Sequence, residues 1–294
     1  MGRPVAVITG AARGIGLETA RQLAATHRVA LLDRDAAGAE AAAAQIGGDA
    51  IHARCDITDA DSVARAVADV VERCGGIDVA ISNAGIATAG ALRHLDPDVL
   101  ALQLDVNLVG NWRFVHACLP HLIERRGYVL GVASAAAIVP PVGLGNYAAS
   151  KAGFEQLLNV LRIEVAHLGV DVGIAFFSFI DTDMVRGAEA RHTAFAEARR
   201  KARGPAGRTL PVGVAGKAIA DAVAGRRRSV VAPGIVRVAS WLRGVIGPLV
   251  DRESRANAPT IDRAPAEMVA EHGPVAGALG PRDRAPGPVA SGPR

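Results

Sequence analysis

The chain has 294 residues, 50% hydrophobic and 21% charged, which excludes a wholly disordered chain and allows one large α/β domain or two modest ones. Aromatic residues make up only 3%, so Ala, Val, Ile and Leu must build the core, and no uncharged apolar run reaches the ~18 residues of a transmembrane helix. The net charge is +4, but residues 225–294 hold eleven arginines against six acids, so the excess is C-terminal and gives no reason to expect nucleic acid as a partner of the main body.

In chain order, short apolar runs alternate with helical patterns. Val5–Thr9 reads as a strand, Gly14–Thr26 as a helix, Arg28–Asp33 as a strand and Ala36–Ile46 as an alanine-rich helix. Ala50–Cys55, Ile77–Ser82, Tyr128–Ala133, Val170–Phe176 and Ser229–Ala232 read as further strands. Asp59–Cys74, Asp98–Arg126, Tyr147–Leu168 and Val212–Ala224 read as helices. Such alternation predicts βαβ units and a doubly wound parallel sheet covered on both faces, in a single α/β domain spanning residues 1–235. Three segments depart from it. Asp183–Arg208, polar and Arg-rich, follows a strand end and reads as a substrate lid or a solvated loop. Residues 236–263 form a C-terminal extension, overlapped by Pro233–Val250, a basic amphipathic stretch suited to packing on its own domain or a partner subunit, to covering the substrate pocket or to a membrane surface. Residues 264–294 are rich in Pro and Gly, and disorder is expected there.

Two constellations carry chemistry. The first is Thr9-Gly10-Ala11-Ala12-Arg13-Gly14-Ile15-Gly16, between a strand and a helix. Glycines there let main chain approach a pyrophosphate, and the helix start offers free N–H donors. Asp33 ends the next strand, where a carboxylate accepts hydrogen bonds from a ribose diol and repels a 2′-phosphate. Arg13 and Arg34 have the opposite bias, since a guanidinium pairs with a 2′-phosphate. Asp33 is weighed more, so NAD(H) is favoured over NADP(H). The second is Tyr147 and Lys151, four apart on one helix face in a chain with only three lysines (Lys151, Lys201 and Lys217). An ammonium stabilises a phenolate, whose parent pKa is about 10, and suits the phenol to acid/base work on a carbonyl or alcohol. Ser134, thirteen residues earlier and just past a strand end, can hold the substrate oxygen.

With these pieces, Asp56 in Cys-Asp-Ile-Thr-Asp, Asn83-Ala84-Gly85, Asn107 in Asp-Val-Asn-Leu and Ile180-Asp-Thr182, the chain resembles the classical short-chain dehydrogenase/reductase family from residue 4 to about 235. The extended branch would want glycine at Arg13. The resemblance implies a Rossmann fold and an NAD(P)-dependent oxidoreductase interconverting an alcohol and a ketone. It implies Tyr147 as acid/base, Lys151 beside it and on the nicotinamide ribose, Ser134 on the reacting oxygen, and Asn107 holding a water that links Lys151 to solvent. Asp56 and Ile57 are then on the adenine side, Asn83, Ala84 and Gly85 along the adenosine, and Thr182 near the carboxamide or phosphate. Phe177-Ser178 replace the family's usual Pro-Gly, and the Phe176, Phe177 and Phe179 cluster fits either an apolar pocket or core packing. The uncharged Ala135–Leu144 points to a hydrophobic substrate: steroid, terpenoid, fatty or aromatic. The alternative is a non-catalytic dinucleotide-binding sensor on the same fold. Three cysteines without metal-ligand spacing suggest neither zinc nor disulfides, and together with the absence of a secretory leader they point to the cytoplasm. A homodimer or homotetramer is expected.

Overall fold

The apolar runs Val5–Thr9 (β1), Val79–Ser82 (β4) and Tyr128–Val132 (β6) are buried at every residue. That requires cover on both faces, which a parallel sheet between two helical layers supplies. The computed structural model describes residues 2–139, 141–191, 208–242, 267–270 and 273–274. With Arg28–Asp33 (β2), Ile51–Arg54 (β3), Asp171–Phe177 (β7) and Ser229–Ala232 (β8), these strands form a seven-stranded parallel sheet of order β3-β2-β1-β4-β6-β7-β8. The order reverses at β1/β4, the crevice where such sheets bind ligands.

Gly14–Leu23 (α1), Ala36–Ile46 (α2) and Val212–Ala224 (α8) pack on one face through Ala20, Leu23, Ala42, Ala215 and Ile219. Ala60–Cys74 (α3), Asn111–Arg125 (α5) and Gly145–Glu164 (α6) pack on the other through Val63, Val67, Phe114, Leu122, Phe154 and Leu158. Side-chain caps start several helices: Asp35 accepts from Gly38 N–H, and Asp59 from Asp61 and Ser62 N–H. Gly131 decides how closely α6 approaches β6. A Cβ there would overlap Leu158 Cδ1 and lie 2.8 Å from Phe154 Cε1, so helix and strand meet only because the side chain is absent.

The predicted helix over Asp98–Arg126 is three pieces: Pro97–Leu104 (α4), a π-helical turn at Asp105–Gly110, and α5. Ile86–Ala89 (β5) was not expected as a strand. It pairs antiparallel with Glu267–Ala270 (β9), which pairs with Gly273–Pro274 (β10). These six residues fall within the segment where disorder is expected; main-chain pairing to an open edge needs no large apolar side chain. The remainder of 264–294 lies outside the described residues. Of the lid candidate, Asp183–Arg191 is a helix (α7), and 192–207 lie outside the described residues. Of Pro233–Val250, Ile235–Trp241 form a short helix (α9), and 243–250 lie outside them.

Candidate active site

The turn after β1 is closed from behind by the residues after β4. Gly10 has φ +63°, and a Cβ there would come 2.9 Å from Ala84 Cα. Thr9 Oγ1 accepts from the N–H groups of Asn83 at 3.0 Å and Ala84 at 3.2 Å. Asn83 Nδ2 donates back to Thr9 O at 3.0 Å and Gly10 O at 3.1 Å. Gly14 also has positive φ, and a Cβ on Gly16 would stand 2.8 Å from Asn83 Nδ2. Arg13 precedes α1 without capping it, and the first turn of α1 has no acid. Its N–H groups are thus met by no side-chain cap, which suits an incoming anion.

Asp33 is buried at the end of β2, with Oδ2 accepting from Ala12 N–H at 3.0 Å and Oδ1 from Asp35 N–H at 2.9 Å. Arg13 pairs with Asp35 at 2.9 Å and reaches Asp183 of α7 at 3.9 Å. Arg34 is exposed. Asp56 accepts from Thr58 N–H and Oγ1 at 3.0 and 2.7 Å; the cap of α3 is Asp59, not Asp56. Ile57 is buried, and its carbonyl accepts from Arg113 at 3.4 Å. Asp35 and Asp183 as partners of Arg13 were not among the sequence candidates; the Asp33-Arg34-Asp35 triplet is the signal that could have raised the first.

A cleft open to solvent lies at the C-terminal ends of β4, β6 and β7. It brings together Ile15, Asn83, Gly85, Ser134, Tyr147, Lys151 and Thr182 of the predicted residues. Gly10, Arg13, Gly14, Gly16, Asp33, Arg34, Asp56, Ile57, Ala84 and Asn107 are not on its wall. Lys151 is 4% exposed, its Nζ donates to Val132 O at 2.9 Å, and it stands 6.0 Å from the Tyr147 ring centroid. Ser134 Oγ accepts from Ala136 N–H at 3.1 Å, which anchors it at the end of β6. Asn107, fully buried in the π turn, accepts from Ile86 N–H at 2.9 Å and donates to Ile86 O at 2.8 Å and Ser150 Oγ at 3.0 Å. Ser150 in turn donates to Tyr147 O at 2.8 Å. Asn107 Oδ1 and Lys151 Nζ both border Gly85, at 3.2 and 3.5 Å from where a Cβ would be.

Two supporting residues escaped the sequence reading. Asn111, one helical turn after Asn107, donates to Ala84 O at 2.9 Å and accepts from Ser82 Oγ at 2.6 Å, and so holds the Asn83–Gly85 segment; its i+4 spacing from Asn107 was a usable signal. Gln103 accepts from Asn146, the residue before Tyr147. The rest of the wall is largely apolar: Phe177, Ile180, Met184 and Val185, with Ser178 among them. Phe176 faces the opposite core, and Phe179 packs beside Tyr147, Leu144 and Ala188. The three phenylalanines thus serve both core and cleft.

The short chain dehydrogenase family model matches residues 4–193. An uncharacterized oxidoreductase of Mycobacterium bovis is 37% identical over 171 residues, covering 57% of this chain and 69% of its own. Among solved structures, actinorhodin polyketide ketoreductase with NADPH superposes with a TM-score of 0.74 at 28% identity, over 80% of this chain and 97% of that one. The 3-ketoacyl-(acyl-carrier-protein) reductase of Brucella melitensis with NADH does so with 0.70 at 26%, over 78% and 96%. Sequence match and fold agree, and the chain belongs to the short-chain dehydrogenase/reductase family of oxidoreductases.

Proposed function

We propose that the protein interconverts a secondary alcohol and a ketone on a hydrophobic substrate, with NAD(H) favoured over NADP(H). The observation that carries this reading is the meeting of Tyr147, Lys151 and Ser134 on one cleft with Ile15, Asn83 and Thr182. The residues fit a dinucleotide: Gly10 and Gly16 leave no room for a Cβ in the turn, α1 begins without a side-chain cap, and Asp33 ends β2. When bound, the nicotinamide supplies or accepts the hydride at the substrate carbon.

The chain's own groups manage the proton and the oxygen. Ser134 Oγ orients the substrate oxygen. Tyr147 takes the hydroxyl proton during oxidation, or gives one to the carbonyl oxygen during reduction. Lys151, buried and fixed by Val132 O, supplies positive charge beside the phenol and favours the phenolate. Asn107 holds the β5 start and, through Ser150, the first turn of α6. Asp33 and Asp35 support NAD(H): the first has its carboxylate at the end of β2, where a ribose diol would meet it, and the second occupies Arg13. The apolar wall of Phe177, Ile180, Met184 and Val185 supports a hydrophobic substrate.

Tyr147→Phe tests the reading. With a panel of lipophilic alcohols and ketones, kcat is expected to fall by about 10²–10⁴-fold while NADH affinity stays within a factor of about two. Turnover that survives the change removes Tyr147 from the chemistry. NADH and NADPH titrations test the cofactor: about tenfold tighter NADH binding is expected, and tighter NADPH binding returns the selection to Arg13 and Arg34.

A further inference from the structure

We propose that the C-terminal strand β9 is a brace for the substrate wall of the cleft: it holds α7 against β5 and so sets how sharply substrates are sorted by size. α7 is poorly equipped to stand by itself. It has 9 residues, short of the ~12–15 an isolated helix needs in water, and Gly187 lies inside it. Its start is fixed, since Asp181 N–H donates to Leu210 O and Leu210 N–H to Phe179 O, both at 2.9 Å. Met184 and Val185 then line the cleft. One turn further on, Ala188 is buried with Ala89 of β5 and Leu144, beside Tyr147 and Phe179. A single methyl group is a small anchor for a helix that carries part of the wall. β9 adds to it, because it lies along β5 and against α7 at once.

The direction of the main-chain groups fits this pairing. Asn107 takes both the N–H and the C=O of Ile86, at 2.9 and 2.8 Å. Alternation along an antiparallel strand then turns Ala87 and Ala89 toward β9, opposite Val269 and Glu267. On the other side of β9, Ala270 stands opposite Gly273 and Val269 opposite Pro274. Proline has no N–H to give, and the same alternation puts Pro274 at a pair that needs none. The two ladders therefore agree in phase. β5 itself runs beside the chemistry. It starts directly after Gly85 of the cleft wall, and just past its end Gly90 N–H donates to Gly143 O at 2.8 Å, in the loop that leads to Tyr147. β9 is not on the cleft wall, so it acts through β5 and α7, as a positioning element.

Val269→Pro tests the brace, since it removes the N–H that faces Ala87 and leaves every cleft residue in place. The full chain and this variant are compared by amide hydrogen exchange read by mass spectrometry. Exchange in residues 86–90 and 183–191 is expected to quicken about tenfold, with β1 and β6 unchanged and NADH affinity within a factor of about two as the folding control. The substrate arm rests on the oxidoreductase reading. There the preference between a small and a bulky lipophilic ketone is expected to shrink about tenfold, through KM more than kcat. Unchanged exchange overturns the proposal, and so does faster exchange in 86–90 that leaves 183–191 or the substrate preference as it was. A wild-type chain without turnover defeats the oxidoreductase reading instead, and exchange at 183–191 then decides the brace.

Discussion

Asp35 stands between two residues that would choose opposite cofactors. Its carboxylate caps α2 through Gly38 and holds Arg13 at 2.9 Å. Asp35→Asn is expected to free Arg13 and move the NADPH-to-NADH affinity ratio about two- to fivefold toward NADPH, the range of a half-exposed ion pair; an unmoved ratio removes Arg13 from the selection. At the same scale, burial pushes the Cys55 thiol up to about 12, with Asp56 and Asp33 adding to the effect, and raises Cys118 through burial as well. Cys74 is raised less and is only half-buried. Thiolate is the reactive form, so native protein at pH 8 is expected to take up one iodoacetamide per chain, at Cys74, and all three thiols once unfolded. Peptide mapping that finds Cys55 modified in the native protein contradicts this.

At the scale of elements, the site depends on how α4 and α6 are tied. Gln103 is fully buried and accepts from Asn146, 3% exposed, at the first turn of α6. Gln103→Leu leaves the Asn146 amide buried without that acceptor, a loss of ~1–3 kcal/mol in stability. Tyr147 follows directly, so kcat is expected to fall more than KM rises; equal changes in both would confine the pair to stability. This pair is not legible in sequence because its members are 43 residues apart and neither sits in a pattern. The glycine turn, Asp33 and the Tyr147–Lys151 pair are legible because spacing within one or two elements defines them. The π turn at Asp105–Gly110 hides inside an otherwise helical pattern, since one widened turn leaves the apolar periodicity almost intact. β5 hides because Ile86-Ala-Thr-Ala is short and its partner is about 180 residues further on.

For the whole molecule, burial is legible where it is two-sided: continuous apolar strands announce the parallel sheet and its two helical layers. What the pattern cannot show is which polar groups cross between layers, and these govern response to pH. His27 is held below its ordinary 6.5 chiefly by burial, with Arg3 acting the same way and Asp78 opposing. The folded chain therefore binds this proton less readily than the unfolded chain. Its stability is unaffected well above pH 6.5 and falls as pH drops through that value toward the lower folded pKa. Thermal melts between pH 7.5 and 5 are expected to show this decline, and His27→Gln to flatten that part of it; identical slopes would place the loss elsewhere.

Arg226 adds a constraint in time. Its guanidinium donates to the carbonyls of Arg126, Gly127 and Gly169 and pairs with Asp171 at 2.6 Å. These groups follow α5, precede β6 and open β7, at the N-terminal ends of the strands and so at the end of the sheet opposite the cleft. A chain emerging from the ribosome has every cleft residue from Ile15 to Val185 before it has the clamp that joins those loops underneath. Closure waits for a residue made about 100 positions after its first partner, so the nascent enzyme holds a written but unlocked site through that stretch of synthesis.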